Sequence, residues 1–91
     1  MKITESKTYI ATPPGATIKE MIDDRGISEA QLAASLDESG EFVRDLLEGE
    51  AELTAEVADK LEAALGMRAS FWVDYERLYR ETLVKVAEEN A

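Results

Sequence analysis

Residues 25–49, RGISEAQLAASLDESGEFVRDLLEG, decide the fold, because they hold two short helices joined by a turn with almost no slack. Ser28 is placed to cap the first helix: Gln31 stands three residues on to complete a capping box, and Ile27 is positioned to staple onto Leu32. Leu32, Ala33 and Leu36 then share the inward face. Ser39 caps the second helix, its apolar set Val43, Leu46 and Leu47 repeats at three and four residues, and Gly49 supplies a left-handed stop. The pattern predicts helices over 29–36 and 40–48 in a helix-turn-helix. In such a unit the second helix projects outward, so Gly40, Glu41, Phe42, Arg44, Asp45 and Glu48 set what the module touches.

On the N-terminal side, TYIAT at residues 8–12 is a short run of branched and aromatic residues. Two readings stand for it: a short strand, or an arm that orders only on contact, since no partner strand is visible elsewhere. Thr12, Pro13, Pro14 and Gly15 halt this run and open a helix, proline suiting a first turn where its missing N–H is not needed. Ile18, Met21 and Ile22 form the stripe of that helix, and Gly26 ends it after Arg25, a cation at the negative end of the helix dipole.

On the C-terminal side, Glu50–Leu53 reads as a loop and Thr54 as the cap of a fourth helix with Val57, Ala58, Leu61, Ala64 and Leu65 inward. Glu56 and Lys60 are spaced to pair on its outer face, and Gly66 closes it. Ser70 is expected to cap a fifth helix running to about Glu88. At ~1.5 Å per residue that helix is roughly 28 Å long, against a radius of gyration near ~12 Å for such a domain, so it should reach past the core. The expected architecture is all-α: an N-terminal arm over 1–12, a helix-turn-helix domain over 13–69 and a C-terminal helix over 70–91.

The fifth helix carries every aromatic except Tyr9 and Phe42, namely Phe71, Trp72, Tyr75 and Tyr79. Trp72, Tyr75, Tyr79, Thr82 and Val86 follow one another at steps of three, four, three and four, a seam-like spacing. Either the first turns lock the helix onto its own domain and the rest is a solvated tail, or the remainder packs on a second copy. The second reading draws on Leu83, Val84 and Val86, which lack an evident intrachain partner so late in the sequence. Trp72, Tyr75, Tyr79, Leu83 and Val86 are therefore the candidate residues for a dimer or partner.

A chain of 91 residues is one domain, able to remove roughly 60 to 65% of its unfolded surface from water. It has no cysteine and no histidine, so disulfides, thiol chemistry and the common zinc sites are absent. No apolar run approaches the ~20 residues that cross a bilayer, and MKITESKTYIA lacks the apolar centre of a secretory signal, so the expected location is the cytoplasm. No nucleophile and base pair, glycine-rich phosphate loop or calcium loop is present; neither enzyme activity nor a cofactor or metal is expected. Twenty acids against ten bases leave a net charge of −10. Seven of those acids and a single base, Arg44, lie between Asp37 and Glu52, a local balance of −6 that either avoids polyanions or attracts a basic partner.

PPGATIKEMIDDRGISEAQLAASL, a serine-capped helix ending in LLEG, and LTAEVADKLEAALGMRASFWVDYERLY together resemble the HigA antitoxins, antidote proteins of addiction modules in the Xre group of λ-repressor-like helix-turn-helix proteins. The resemblance covers about Thr12 to Tyr79. Its most specific parts are Pro14-Gly15, Gly26 with Ser28, Leu32-Ala33, Leu46-Leu47 with Gly49, and Leu65-Gly66 followed by Ser70-Phe71-Trp72. It implies a five-helix domain, usually dimeric, that neutralises a basic HigB-like ribonuclease toxin and represses its own operon through the second motif helix in the major groove. By the same resemblance Glu29, Ser39, Gly40, Glu41, Phe42, Arg44, Asp45 and Glu48 are the DNA-facing positions.

The departures from the family pattern fall on that surface. Glu29 stands where glutamine is typical, Asp37 where the turn has glycine, and Glu50 where lysine or arginine follows Gly49. Glu41, Phe42, Asp45 and Glu48 replace small polar or basic residues. Duplex DNA carries one negative charge per ~1.7 Å of axis, and several acids facing several phosphates oppose binding by a few kcal/mol (roughly) before screening. Lys19, Arg25, Lys60, Arg68, Arg77, Arg80 and Lys85 are not sequence-adjacent to the groove face. Two function classes follow: an antitoxin-type regulator that binds operator DNA weakly or with its toxin, and a helix-turn-helix scaffold turned protein-interaction module that does not bind DNA.

Overall fold

The computed structural model describes residues 5–91. Its helices are α1 (Pro14–Arg25), α2 (Glu29–Leu36), α3 (Gly40–Glu48), α4 (Ala55–Leu65) and α5 (Ala69–Asn90). The two motif helices occupy the residues their pattern predicts, and the caps explain why. Ser28 Oγ accepts from the Gln31 amide at 3.0 Å while Gln31 Oε1 accepts from the Ser28 amide at 2.8 Å. Ser39 Oγ accepts from the Phe42 amide at 3.0 Å, and Thr54 Oγ1 from the Val57 amide at 3.3 Å. Each bond satisfies an amide that a helix start leaves without a partner.

The start of α5 differs from expectation. Its cap position is Arg68, without a side-chain cap, and Ser70 lies inside the helix. Glu62 of α4 takes the capping role: its Oε1 accepts from the Ala69 amide at 2.7 Å. The short link after Gly66 folds α5 back on α4 and brings this carboxylate to the positive end of the new helix.

Ile18 and Ile22 of α1, Leu32 and Leu36 of α2, Val43 and Leu46 of α3, Leu61 and Leu65 of α4 and Trp72 of α5 form one buried cluster. Each large apolar side chain enclosed in this way contributes about 1.5–3 kcal/mol. Leu47, expected in the buried set, is only half-buried and packs at the rim. Gly15 lets α1 meet α3: a Cβ there would collide with the carbonyl oxygens of Leu46 and Leu47. The first turn of α1 therefore fixes the C-terminal end of α3.

A second cluster lies further along α5, where Tyr79 and Val86 are buried with Ala11, and Tyr9 and Leu83 pack against them. The run at residues 8–12 thus finds its partner on a helix. It makes one antiparallel bridge, Glu5 with Ile10, closed by a Ser6 amide bond to the Tyr9 carbonyl at 2.7 Å. Trp72, Tyr79 and Val86, expected at an interface, are enclosed within their own chain at 0%, 2% and 2% exposure. Their apolar surface is satisfied by the core and by the arm. With principal extents of 40 × 26 × 22 Å, the long axis accommodates α5 and its covering arm.

Candidate nucleic-acid interface

The outward surface of the motif is built from the turn after α2 and one face of α3. Asp37 closes α2 in the left-handed region at φ 55°, so an aspartate performs the turn that glycine makes without steric penalty. Glu38 does not join the groove surface: Lys60 Nζ holds it at 3.2 Å, and Glu56 at 3.6 Å as its spacing predicts. The Glu38 hydrogen bond is the leading cause raising the Lys60 pKa. Glu41, Arg44 and Glu48 are exposed, Asp45 is half-buried, and Gly40 opens on free space. Ser39 spends its hydroxyl oxygen on the cap.

Phe42 departs from the expected outward position. Its half-buried ring packs against the core cluster, because an apolar ring there removes more surface from water than one aimed at solvent.

Lys19 reaches this surface, contrary to its distance in sequence. Lys19 and Ala16 of α1, Glu29 of α2 and Arg44, Leu47 and Glu48 of α3 line one groove. An adjoining one is lined by Glu29, Ala30, Gly40, Glu41, Arg44 and Asp45. The close approach at Gly15 is the signal that brings α1 to α3. Lys19 adds little free positive charge, however: its ammonium lies 3.0 Å from Asp23 and 3.8 Å from Glu29. The Asp23 hydrogen bond is the first cause raising its pKa. Arg44 has no ion pair or hydrogen bond among the described residues and borders both grooves, so it is the base available to an incoming ligand.

Most other bases are committed away from the groove. Arg25 donates to the Leu65 carbonyl at 2.9 Å, and Arg77 pairs with Glu81 at 3.3 Å. Arg80 joins α5 to the end of the motif: its Nε lies 2.7 Å from the buried Glu76, and its Nη2 donates to the carbonyls of Gly49 at 3.3 Å and Ala51 at 3.2 Å. Gly49, at φ 78°, sits at the same junction, where a Cβ would stand 2.8 Å from the Tyr79 hydroxyl and 2.9 Å from Pro13 Cβ. The stop of α3 is therefore clamped from α5 and from the entry to α1. Tyr75, half-buried, accepts from Thr17 Oγ1 at 3.3 Å and adds a second link between α5 and α1.

Five packed helices with α3 presented outward across a tight turn from α2 define a helix-turn-helix domain of the kind that presents one helix to the major groove. A family model described as helix-turn-helix matches residues 18–72, more than half of the chain, and the chain belongs to that Xre-like family. Among solved structures it is similar to the antitoxin HigA of Pseudomonas aeruginosa with the higBA promoter, at 26% identity and TM-score 0.78 over 85% of each chain. An addiction-module antidote protein of the HigA family from Coxiella burnetii matches at 26% identity and TM-score 0.73 over 80% of each. A putative antidote protein of a plasmid maintenance system from Nostoc punctiforme shares the fold at 23% identity and TM-score 0.80 over 87% of each. No curated protein matches the chain by sequence. Among the described residues no helix is long and apolar enough to cross a membrane.

Proposed function

We propose that the chain is an antitoxin-type transcriptional regulator, a cytoplasmic homodimer that neutralises a small basic HigB-like ribonuclease and binds operator DNA weakly when alone. The observation that carries the reading is the arrangement of α1 to α5 with α3 outward, together with its likeness over most of both chains to a HigA antitoxin solved with its promoter. The acidic surface supports the basic partner. Glu41, Asp45 and Glu48 on α3, with Asp37 and Glu50 at its flanks, create a field that attracts cations and resists phosphates. Glutamate accepts from cytosine N4 and Arg44 can read guanine, so base contacts are available while phosphate anchorage is scarce.

Co-expression with a small basic HigB-like ribonuclease, sought first among the genes beside this one, tests the reading. A complex that abolishes ribonuclease activity and dissociates with rising salt is expected. A ribonuclease that stays active in its presence would remove the antitoxin role. The second reading, a helix-turn-helix scaffold serving only protein interaction, is favoured by one observation: α3 carries a single base among its four charged residues.

A further inference from the structure

The arm that covers α5 also shapes the surface beside it. Burial alternates from Tyr9 to Ala11: Tyr9 and Ala11 go into the cluster with Tyr79 and Val86, and Ile10 goes out, 70% exposed. Ile10 does not stand alone there. One shallow groove is lined by Ile10, Tyr75, Leu78 and Thr82 among others, and a second by Phe71, Asp74, Tyr75, Arg77 and Leu78. The two share Tyr75 and Leu78 and so form one stripe along α5. Leu78 is 59% and Phe71 38% exposed, which leaves three large apolar side chains facing solvent around half-buried Tyr75.

The arm is held in this register by the far end of α5. Glu89 Oε1 accepts from Ser6 Oγ at 2.7 Å and from the Thr8 amide at 2.6 Å. Asn90 Nδ2 donates to the Glu5 carbonyl at 3.1 Å, and the Lys85 ammonium lies 5.6 Å from the centre of the Tyr9 ring. Four contacts from residues 85–90, about a turn and a half of helix, fix the segment.

We infer that the arm is a working part of the chain's self-association face, where latching by Glu89 places Ile10 beside Phe71, Tyr75 and Leu78 and a second copy of the chain seats on the completed stripe. The inference rests on the homodimer proposed above and adds its face and the arm's contribution. Charge identifies a second copy as the occupant. The chain carries −10, yet between residues 71 and 80 Asp74 and Glu76 are balanced by Arg77 and Arg80, so like-charge repulsion between copies is lower here than between two copies of α3, where a single base stands among four charged residues. Asp74 and Arg77 line the same groove. Across a two-fold axis that sets α5 antiparallel to its copy, each faces the opposite sign, Arg77 taking the copy's Asp74 in addition to its own Glu81 at 3.3 Å, the self-complementarity an isologous interface requires. A basic partner is drawn instead to α3, and duplex DNA gains nothing from an apolar stripe.

Sedimentation analysis of the full chain, with hydrogen exchange of the arm amides as a second readout, tests the inference. The wild type is expected to dimerise, and Leu78→Asp and Ile10→Asp each to weaken association about 10-fold or more while the Thr8 amide stays protected. Glu89→Ala is expected to lose arm protection and weaken association together. If Ile10→Asp leaves the association constant unchanged while Leu78→Asp lowers it, the arm is no part of the face and the dimer reading stands without it. Release of the arm by Glu89→Ala with undiminished association has the same meaning. A wild-type chain that remains monomeric at ~100 µM overturns both the inference and the homodimer.

Discussion

On α3 the side chains of Glu41, Arg44 and Glu48 stand in solvent with no ion pair among the described residues, whereas on α5 Glu76 meets Arg80 at 2.7 Å and Arg77 meets Glu81 at 3.3 Å. Both helices are rich in charge; they differ in where it is satisfied. α3 projects its charge outward and acts at a distance, as suits a partner found by electrostatic steering. α5 pairs Glu76 and Glu81 with its own arginines and shows Leu78 and Phe71 beside them, as suits a contact made by excluding water. A single acidic chain can in this way carry one surface that repels copies of itself and another that tolerates them.

Reversing the α3 surface should have the largest effect. Changing Glu41, Asp45 and Glu48 to lysine moves the chain's charge from −10 to −4 and places three cations where phosphates approach. Sequence-blind affinity for duplex DNA should rise on the order of 100-fold, with a salt slope steeper by about 2.7 at roughly −0.9 per phosphate neutralised. Anisotropy against an arbitrary duplex at low salt measures both. An unchanged, salt-independent signal would mean that α3 does not face the groove.

Breaking the joint between the two regions should come next. Arg80→Ala removes the guanidinium from Gly49 and Ala51 and leaves Glu76 buried without its cation. Full burial of a broken pair costs about 3–5 kcal/mol; because the Arg80 side chain is 39% exposed, about 2 kcal/mol is expected, a fall of roughly 10 °C in Tm. Glu76→Gln in the same chain should recover part of that loss, since the uncompensated charge is gone. Thermal unfolding of the two variants decides the point, and equal stability of Arg80→Ala and wild type would dissolve the clamp.

The smallest expected effect is local to the arm. Hydrogen bonds from Ser6 and then from the Thr8 amide hold the Glu89 carboxyl below its ordinary value of 4.5. A lowered carboxyl pKa gives a contribution fully present above 4.5 and lost as pH falls through the lowered value. Exchange protection at the Thr8 amide should therefore hold constant from neutral pH down to that point and fade below it. Protection that fades near neutrality would place the latch on another group.

What the sequence disclosed and what it hid follow the range of each interaction. Ser28 with Gln31, Ser39, Thr54 and the stops at Gly26, Gly49 and Gly66 are bonds between near neighbours, so their chemistry is readable in order. Ser70 misled because the acceptor for the α5 start, Glu62, comes from another helix. The Tyr79–Val86 seam was legible as apolar, but its cover was not: residues 5–11 reach it through hydrogen bonds to Glu89 and Asn90 that no local pattern announces. Of the DNA-facing set, the exposure of Glu41, Arg44 and Glu48 could be read from helical periodicity. The inward turn of Phe42 and the arrival of Lys19 depend on how α1 and α3 pack at Gly15.

The charge on α3 is expected to keep this chain, alone, from holding duplex DNA firmly. Fluorescence anisotropy of the wild-type protein against its own promoter fragment across a salt series tests it most directly. No measurable non-specific affinity at ~0.15 M salt is predicted, with any binding near ~0.05 M weak and shallow in its salt dependence. Tight, sequence-specific binding with a steep negative slope of log affinity against log salt, abolished by Arg44→Ala, would contradict the claim and make the chain a repressor in its own right.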